Sequence, residues 1–478
     1  MLAQTQIDLG QGETAIARLQ DALHQTQPSL DLPLYRRILE ILRQQHYNRR
    51  DYRAAFRIKL QQRQVDTQFK LRAFIGASHI QPQESLATSP DSAIQALLAT
   101  EIEASGRDQD VAALTARLEQ PRYPLITIHG PSGVGKSSIL YGGLVPALTK
   151  SFPEGRTTFP ALVNSYRDWP DAINQALEVA LQRRVDPNTE AAPPAAAIDA
   201  FALLTRLRDL TEQHYGQVVL IFDQFEEFLA ESPELAQRRE LYAFLVECVA
   251  TPYIKVVLAI REDYLHYLLE IERGFDLDSL SYDILSRDYR YYLGNFQASD
   301  AKVLIRRLTQ GAQFFLEEAL IHQLVADLAV ANQVRPIELQ VVGAQLQRDE
   351  INTLAAYRQL GPHPKETLVQ RFLDVVVNDC GQENALLARG ILYLLTDIDR
   401  EKRLYRPQKS REDLEEELKL RGALYTINQL DLVLEVLVGS GLVFMMPGIP
   451  LGRYQLVHDY LVSHVKDDQI LALLGWRG

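Results

Sequence analysis

Residues 129–140 read HGPSGVGKSSIL, and the stretch Gly130 to Ser137 within them fits the pattern G-x-x-x-x-G-K-[ST] in full. An apolar run, YPLITIH, precedes it and a helical pattern, SSILYGGLVPAL, follows it, which is the strand–loop–helix setting the pattern requires. Glycines let the backbone come close to a bound anion, while loop N–H groups and the helix N-terminus point at it. The expected cradle for the phosphates of ATP or ADP is Gly130, Pro131, Ser132, Gly133, Val134, Gly135, Lys136, Ser137 and Ser138. In it Lys136 reaches the β/γ-phosphates and Ser137 ligates Mg²⁺.

Working outward, three more β-rich runs lie between helical patterns: TTFPALVNSY, QVVLIFDQF and IKVVLAIRE. Uninterrupted Val/Ile/Leu runs of this length are what strands covered on both faces of a parallel sheet look like. The second run delivers Asp223 to the sheet's C-terminal edge, where a carboxylate can hold Mg²⁺ through water. Glu226 and Glu227 lie just beyond, and either can polarise an attacking water. Gln224 occupies the position directly after Asp223, so that place carries no carboxylate, which fits slow turnover. The third run ends on Arg261, which can stabilise γ-phosphate charge or form a plain salt bridge with Asp263.

The flanks differ in composition. Residues 1–66 carry helical apolar spacing throughout, as two helix–turn–helix units with small residues early in each second helix, a tetratricopeptide-like pattern. Met1 falls almost inside the first helical pattern, so either an array is expected to continue upstream or the chain is an excerpt, a plain helical hairpin being the alternative. Residues 67–95 include RAFIGASHIQPQESLATSPDS, which has linker chemistry. The α/β segment spans 96–294. Helical patterns then dominate over 295–365, where Ser299 is expected to cap a helix and the β-rich runs stop. From 366 to 478, helices precede GLVFMMPGIPLGRYQLVHDYL, two short strands around a turn, as in a winged helix. The expected fold class is therefore α/β plus α: a P-loop NTPase parallel sheet flanked by N-terminal helical hairpins, a helical lid domain and a C-terminal winged helix.

Composition excludes several classes. The 478 residues are 46% hydrophobic and 23% charged, ordinary for a soluble globular chain, and long enough for several cores. No membrane-helix run or signal pattern occurs, so the expected compartment is the cytoplasm, with no membrane partner. Cys248 and Cys380 have no metal-ligand spacing and read as buried small hydrophobes. The net charge of −12 argues against broad electrostatic capture of nucleic acid. The helix expected to read DNA, NQLDLVLEVLVGSG, carries Asp431 and Glu435 and no Lys or Arg.

GPSGVGKSSILYGGLVPAL, LIFDQFEEF and VVLAIREDYL together resemble the STAND class of signal-transduction ATPases, and more narrowly the novel STAND branch found in bacteria and abundant in cyanobacteria. The likeness extends back through ASGRDQDVAAL and AFIGASHIQP and forward through RPIELQVVGAQL to YQLVHDYLV, about four-fifths of the chain. It implies an ATP/ADP-operated switch with slow ATPase activity, whose nucleotide state governs domain opening and self-association. Within it, Arg261 matches a strand-end nucleotide sensor, and Arg107 lies in an approach segment near the base. Pro336 matches the proline that packs on adenine, although Val334 stands where a glycine is expected. His458, next to Asp459, matches a histidine tying the winged helix to bound diphosphate. The resemblance also implies a stimulus detector, either the N-terminal helices, an absent segment of sensor repeats or a protein partner, since no repeat array follows LLGWRG. A DNA-binding regulator with an ATPase module, or a rapid remodelling ATPase, are the alternatives.

Overall fold

The computed structural model describes residues 12–69, 71–74, 107–151, 153–166, 168–185, 198–232, 234–275, 283–398, 404–446, 453–456, 461 and 465. The first helices are α1 (Gly12–Gln25), α2 (Leu32–Asn48) and α3 (Tyr52–Gln68). Asp31 caps α2 by accepting from Leu34 N at 3.0 Å, and Pro33 sits in its first turn, where a missing N–H costs nothing. Tyr35, Ile38, Leu39 and Leu42 repeat at helical spacing, and all four are buried.

The helix α4 (Asp108–Leu118) leads into a five-stranded parallel sheet. Its strands are β1 (Leu125–Gly130), β2 (Thr157–Val163), β3 (Gly216–Phe222), β4 (Ile254–Arg261) and β5 (Arg290–Tyr292), in the order β2-β3-β4-β1-β5. Every residue of β3 is buried, because alternate side chains enter two different cores. Val218, Leu220, Phe222, Val256 and Leu258 face one, and Val219, Ile221, Val257, Ala259 and Ile128 the other. Parallel order leaves all strand C-termini on one edge, with β1 and β3 separated only by β4.

The helix after β1 is not regular. It runs as α5 (Lys136–Ile139), widens to a π-helical turn over Leu140–Leu144, and resumes as α6 (Val145–Thr149). Pro146 lacks the N–H an α-helix would direct at residue 142, and the wider turn accommodates this. The outer faces are covered by α7 (Trp169–Val185), α8 (Ala200–Gln213), α9 (Glu226–Glu231), α10 (Leu235–Ala250) and α11 (Leu269–Gly274).

Beyond β5 the chain is mostly helical, but a three-stranded antiparallel sheet that was not expected joins β6 (Phe296–Gln297), β7 (Ala329–Val330) and β8 (Gln333–Val334). Two-residue strands carry too little periodicity to register in the sequence. Ser299 does not cap the next helix, α12 (Ala298–Gly311): Gln297 precedes it, and the Ser299 hydroxyl turns to Asp300 at 3.0 Å. The helices α13 (Glu318–Leu328), α14 (Pro336–Arg348) and α15 (Leu354–Arg358) complete this region.

Then follow α16 (Pro364–Asp379), α17 (Ala385–Leu394), α18 (Arg411–Leu420) and α19 (Ile427–Gly439). Reciprocal capping boxes start the last two, Ser410 with Asp413 and Thr426 with Gln429. A small hairpin of β9 (Asp397–Ile398) and β10 (Leu404–Tyr405) precedes α18. The strands β11 (Lys409–Ser410), β12 (Val443–Met446) and β13 (Arg453–Leu456) pair antiparallel in the order β11-β13-β12.

One core joins α3 and the segment after it to this half: Phe56 and Phe74 are buried with Leu339, Leu373, Val433 and Leu437. Three glycines make the seats. A Cβ on Gly343 would lie 2.4 Å from the Phe74 ring, one on Gly439 2.7 Å from Phe56, and one on Gly381 2.3 Å from Tyr52. Ala73 and Phe74, at the start of the linker-like stretch, are thus packed against α14.

Candidate functional site: a phosphate-binding loop at the sheet edge

The loop leaves β1 at Gly130. A Cβ there would meet Leu293 O at 2.2 Å, so this glycine allows the backbone after β5 to approach, and Leu293 N donates to His129 O at 2.8 Å. Gly133 and Gly135 have φ of 73° and 98°, a left-handed backbone that residues with a Cβ resist. The resulting turn aims the N-terminus of α5 back across the sheet edge. Lys136, 8% exposed, folds along the loop and donates to Gly130 O at 3.0 Å and Pro131 O at 3.1 Å. Burial lowers its pKa, and the nearby carboxylates Glu226 and Asp223 oppose that shift.

Asp223 extends from β3 and is 1% exposed. Its Oδ1 accepts from Gln224 N at 2.9 Å, whereas Oδ2 is buried without a hydrogen-bond partner among the described residues. Burial pushes the carboxyl up to about 6; the Ser137 hydroxyl beside it holds it down, Glu226 raises it further and Lys136 lowers it. A buried, unsatisfied carboxylate oxygen beside a serine hydroxyl is a suitable oxygen donor set for Mg²⁺. Ser137 and Asp223 are therefore the residues that would hold the ion. When bound, Mg²⁺ neutralises phosphate charge.

Gln224 has a φ of 52°, so the chain reverses sharply after Asp223 and begins α9. This turn separates the two glutamates. Glu226 Oε2 accepts from Arg261 N at 3.1 Å, and Glu226 is the foremost acidic neighbour of Lys136. Glu227, 8% exposed, lies beside the buried Tyr166, whose hydroxyl donates to Asp223 O at 2.5 Å. Burial, then Glu227, raises the Tyr166 pKa well above its ordinary value.

Arg261, at the end of β4, holds Asp263 with Nε at 3.1 Å and Nη2 at 2.5 Å, and lies 5.3 Å from the Tyr264 ring centroid. Burial opposes its charge, yet Asp263 and Glu226 more than offset that and raise its pKa. The Asp263 pair weighed in the sequence thus forms, within a site that also holds Lys136 and Glu226. Arg107 bridges two segments: its guanidinium donates to Val134 O at 3.2 Å in the loop and to Gly294 O at 2.7 Å beyond β5, and lies over Phe296.

Pro336 opens α14 and is buried; its neighbour Arg335 and Lys365 pair with the buried Glu338 at 3.1 and 2.9 Å. His458, with Asp459 and Gly106, lies outside the described residues. The C-terminal half nevertheless meets the site, because α9 packs against β12. Buried Arg406 donates to Leu456 O at 2.7 Å and is close enough to Tyr264 to lower its pKa, against the larger effect of burial. Tyr166, His129 and Arg406 were not legible as site residues. His129 Nδ1 is buried without a partner among the described residues, and burial, then Arg290, lowers its pKa. A histidine directly ahead of Gly130 was the available signal.

A parallel sheet of this order, with a glycine loop closing on the edge beside Asp223, defines the class: a P-loop NTPase. The sequence model of the family described as Novel STAND NTPase 1 matches residues 105–466, and the chain belongs to that family. No curated protein matches the chain. Among solved structures, a Walker-type ATPase of Pyrococcus abyssi is similar at 14% identity, covering 76% of this chain and 95% of its own, with a TM-score of 0.41. An Aeropyrum pernix ORC1 protein in complex with DNA is similar at 16% identity over 84% and 98%, TM-score 0.39. A STAND protein with a tetratricopeptide repeat sensor from Pyrococcus horikoshii is similar at 10% identity over 75% and 42%, TM-score 0.31.

Proposed function

We propose that this chain is a nucleotide-operated switch of the STAND type. It binds ATP or ADP with Mg²⁺, hydrolyses the triphosphate slowly, and uses the bound state to bias how its C-terminal half sits on the sheet edge. The observation that carries this reading is the packing of β12 on α9, the helix that presents Glu226 to Lys136. A change at the phosphates is thereby adjacent to an interdomain contact, and a ligand with different contacts in two states shifts their balance.

In this reading Lys136 and the loop amides of Gly130 to Ser138 hold the phosphates, and Ser137 and Asp223 hold Mg²⁺. Glu226 orients water, and Arg261 senses the γ-phosphate once its grip on Asp263 loosens. Arg107, reaching Val134 O, keeps the loop and the start of the lid in register near the base, where Pro336 packs. His458 ties the C-terminal winged-helix unit to diphosphate. Opened protomers then self-associate in a signalling or defence response, with the N-terminal helices or a partner as detector.

Gel filtration with light scattering separates the readings: mass should differ between ADP and a non-hydrolysable triphosphate. Equal masses, or steady-state turnover well above about one per second, would favour a rapid remodelling ATPase. No observation favours DNA reading by α19. Its Asp431 and Glu435 are held by Arg411 and Arg53, and Gly439 lies under Phe56.

A further inference from the structure

The turn that carries Asp223 is held from the side by the segment that follows β2. Because β3 ends at Phe222, Asp223 is the first residue past the strand. Its N–H still reaches Val163 O, at the end of β2, at 2.9 Å, and its carbonyl accepts from the Tyr166 hydroxyl at 2.5 Å. Both sides of Asp223 are thus fixed by one short stretch, Val163 to Tyr166. That stretch also reaches the phosphate-loop helix: Asn164 Nδ2 donates to the Tyr141 hydroxyl at 3.2 Å, in the π-helical turn that follows α5.

The turn needs such a hold. Gln224 has a Cβ and a φ of 52°, a backbone that persists only where its surroundings over-determine it. Gln224 N donates to Asp223 Oδ1 at 2.9 Å, Phe225 N to Ala259 O at 2.9 Å, and Glu227 N to Gln224 O at 2.8 Å. These bonds orient the site: with Oδ1 turned to Gln224, Oδ2 is the oxygen left for an ion, and Glu226 comes round to accept from Arg261 N. Tyr166, 3% exposed, packs among Phe222, Phe225 and Phe228, with ring centroids 6.5, 6.0 and 6.0 Å from its own. A phenylalanine would fill that apolar wall equally well. What the tyrosine adds is one donor, delivered to the carbonyl of a residue that is 1% exposed, where an unmet acceptor is costly.

We propose that Tyr166 is a positioning residue of the nucleotide site: through the Asp223 carbonyl its hydroxyl locks the left-handed turn, and so sets where Asp223 Oδ2 and Glu226 stand relative to Ser137 and Lys136. Without the hydroxyl, either water must enter the aromatic wall to reach Asp223 O or the turn must open, and both loosen the carboxylates. The consequence for nucleotide rests on the switch reading above, whereas the lock belongs to the ligand-free chain.

The test compares the full parent chain with Tyr166→Phe, which keeps the ring, and with Tyr242→Phe. Tyr242 is a control from the same core, its ring 5.9 Å from Phe228 and its hydroxyl on Glu270 at 3.3 Å, away from Asp223. In the ligand-free chains, hydrogen exchange read by mass spectrometry over residues 223–227 should quicken about tenfold in Tyr166→Phe, the loss of one buried hydrogen bond, and stay at the parent rate in Tyr242→Phe. In calorimetric titrations with a non-hydrolysable ATP analogue, the affinity gained on replacing EDTA with Mg²⁺ should fall about tenfold in Tyr166→Phe alone, with the affinity in EDTA unchanged. Exchange at the parent rate in Tyr166→Phe, an undiminished Mg²⁺ gain, or equal changes in Tyr242→Phe would overturn the proposal. A parent chain that binds no nucleotide in either buffer would overturn the switch reading instead, and the exchange comparison would still decide whether the hydroxyl holds the turn.

Discussion

Asp223 illustrates how one carboxyl links stability to binding. Its pKa is raised to about 6, so the folded chain holds this proton more tightly than the unfolded chain. Its contribution to stability is therefore greatest below about 4, and it declines as the pH rises towards 6. At pH 7 the buried carboxylate opposes folding, and Asp223→Asn should stabilise the nucleotide-free protein by about 1–3 kcal/mol in thermal or denaturant unfolding. The same change should abolish any Mg²⁺ enhancement of nucleotide affinity, and in the parent chain that enhancement should fade as the pH drops below about 6. The two glutamates separate at this scale as well. Glu226→Gln should lower hydrolysis about 100-fold with nucleotide affinity nearly unchanged, whereas Glu227→Gln, beside Tyr166, should act mainly on stability. Equal rate losses for both, measured by steady-state phosphate release, would remove the distinction.

Elements meet here through glycines as much as through apolar faces. Gly343 lets α14 approach Phe74 so closely that Gly343→Ala must displace the ring, at an expected cost of about 1–3 kcal/mol by chemical denaturation. The substitution should loosen the N-terminal segment from the lid while leaving the sheet folded, so limited proteolysis should release residues before Ala73 first. Gly130 plays the matching part for the sheet. Its alanine variant collides with the Leu293 carbonyl and should separate β5 from β1, which would weaken nucleotide binding indirectly. The resemblance of Gly130 to a phosphate-loop residue concealed this second role, because only the strand order places Leu293 beside it.

At the scale of the molecule, α3, the lid and the C-terminal helices share one core, α1 and α2 pack with α3 in separate small clusters, and the sheet keeps two cores of its own. Motion that opens the nucleotide site should accordingly carry the N-terminal helices along with the C-terminal half. Labels on α3 and α19 should keep a constant separation between ADP and triphosphate states, while the distance from α19 to β2 changes. A constant distance for both pairs would argue for a rigid nucleotide-binding protein. Among the described residues, no helix is long and apolar enough to cross a membrane.

What the sequence determined by itself were features written in short, contiguous signals. The glycine loop, Lys136, Ser137 and Asp223 follow from spacing, and the parallel sheet follows from apolar runs that need two covered faces. Tertiary structure alone decided which glutamate faces Lys136, since the left-handed turn at Gln224 rotates Glu226 and Glu227 to different neighbours. It also decided that Arg406, far along the chain, comes close to Tyr264, and that Phe56 and Phe74 leave the N-terminal segment to pack in a distant core. Local patterns encode which face of an element is apolar, but the partner of that face is chosen by packing among all the elements at once.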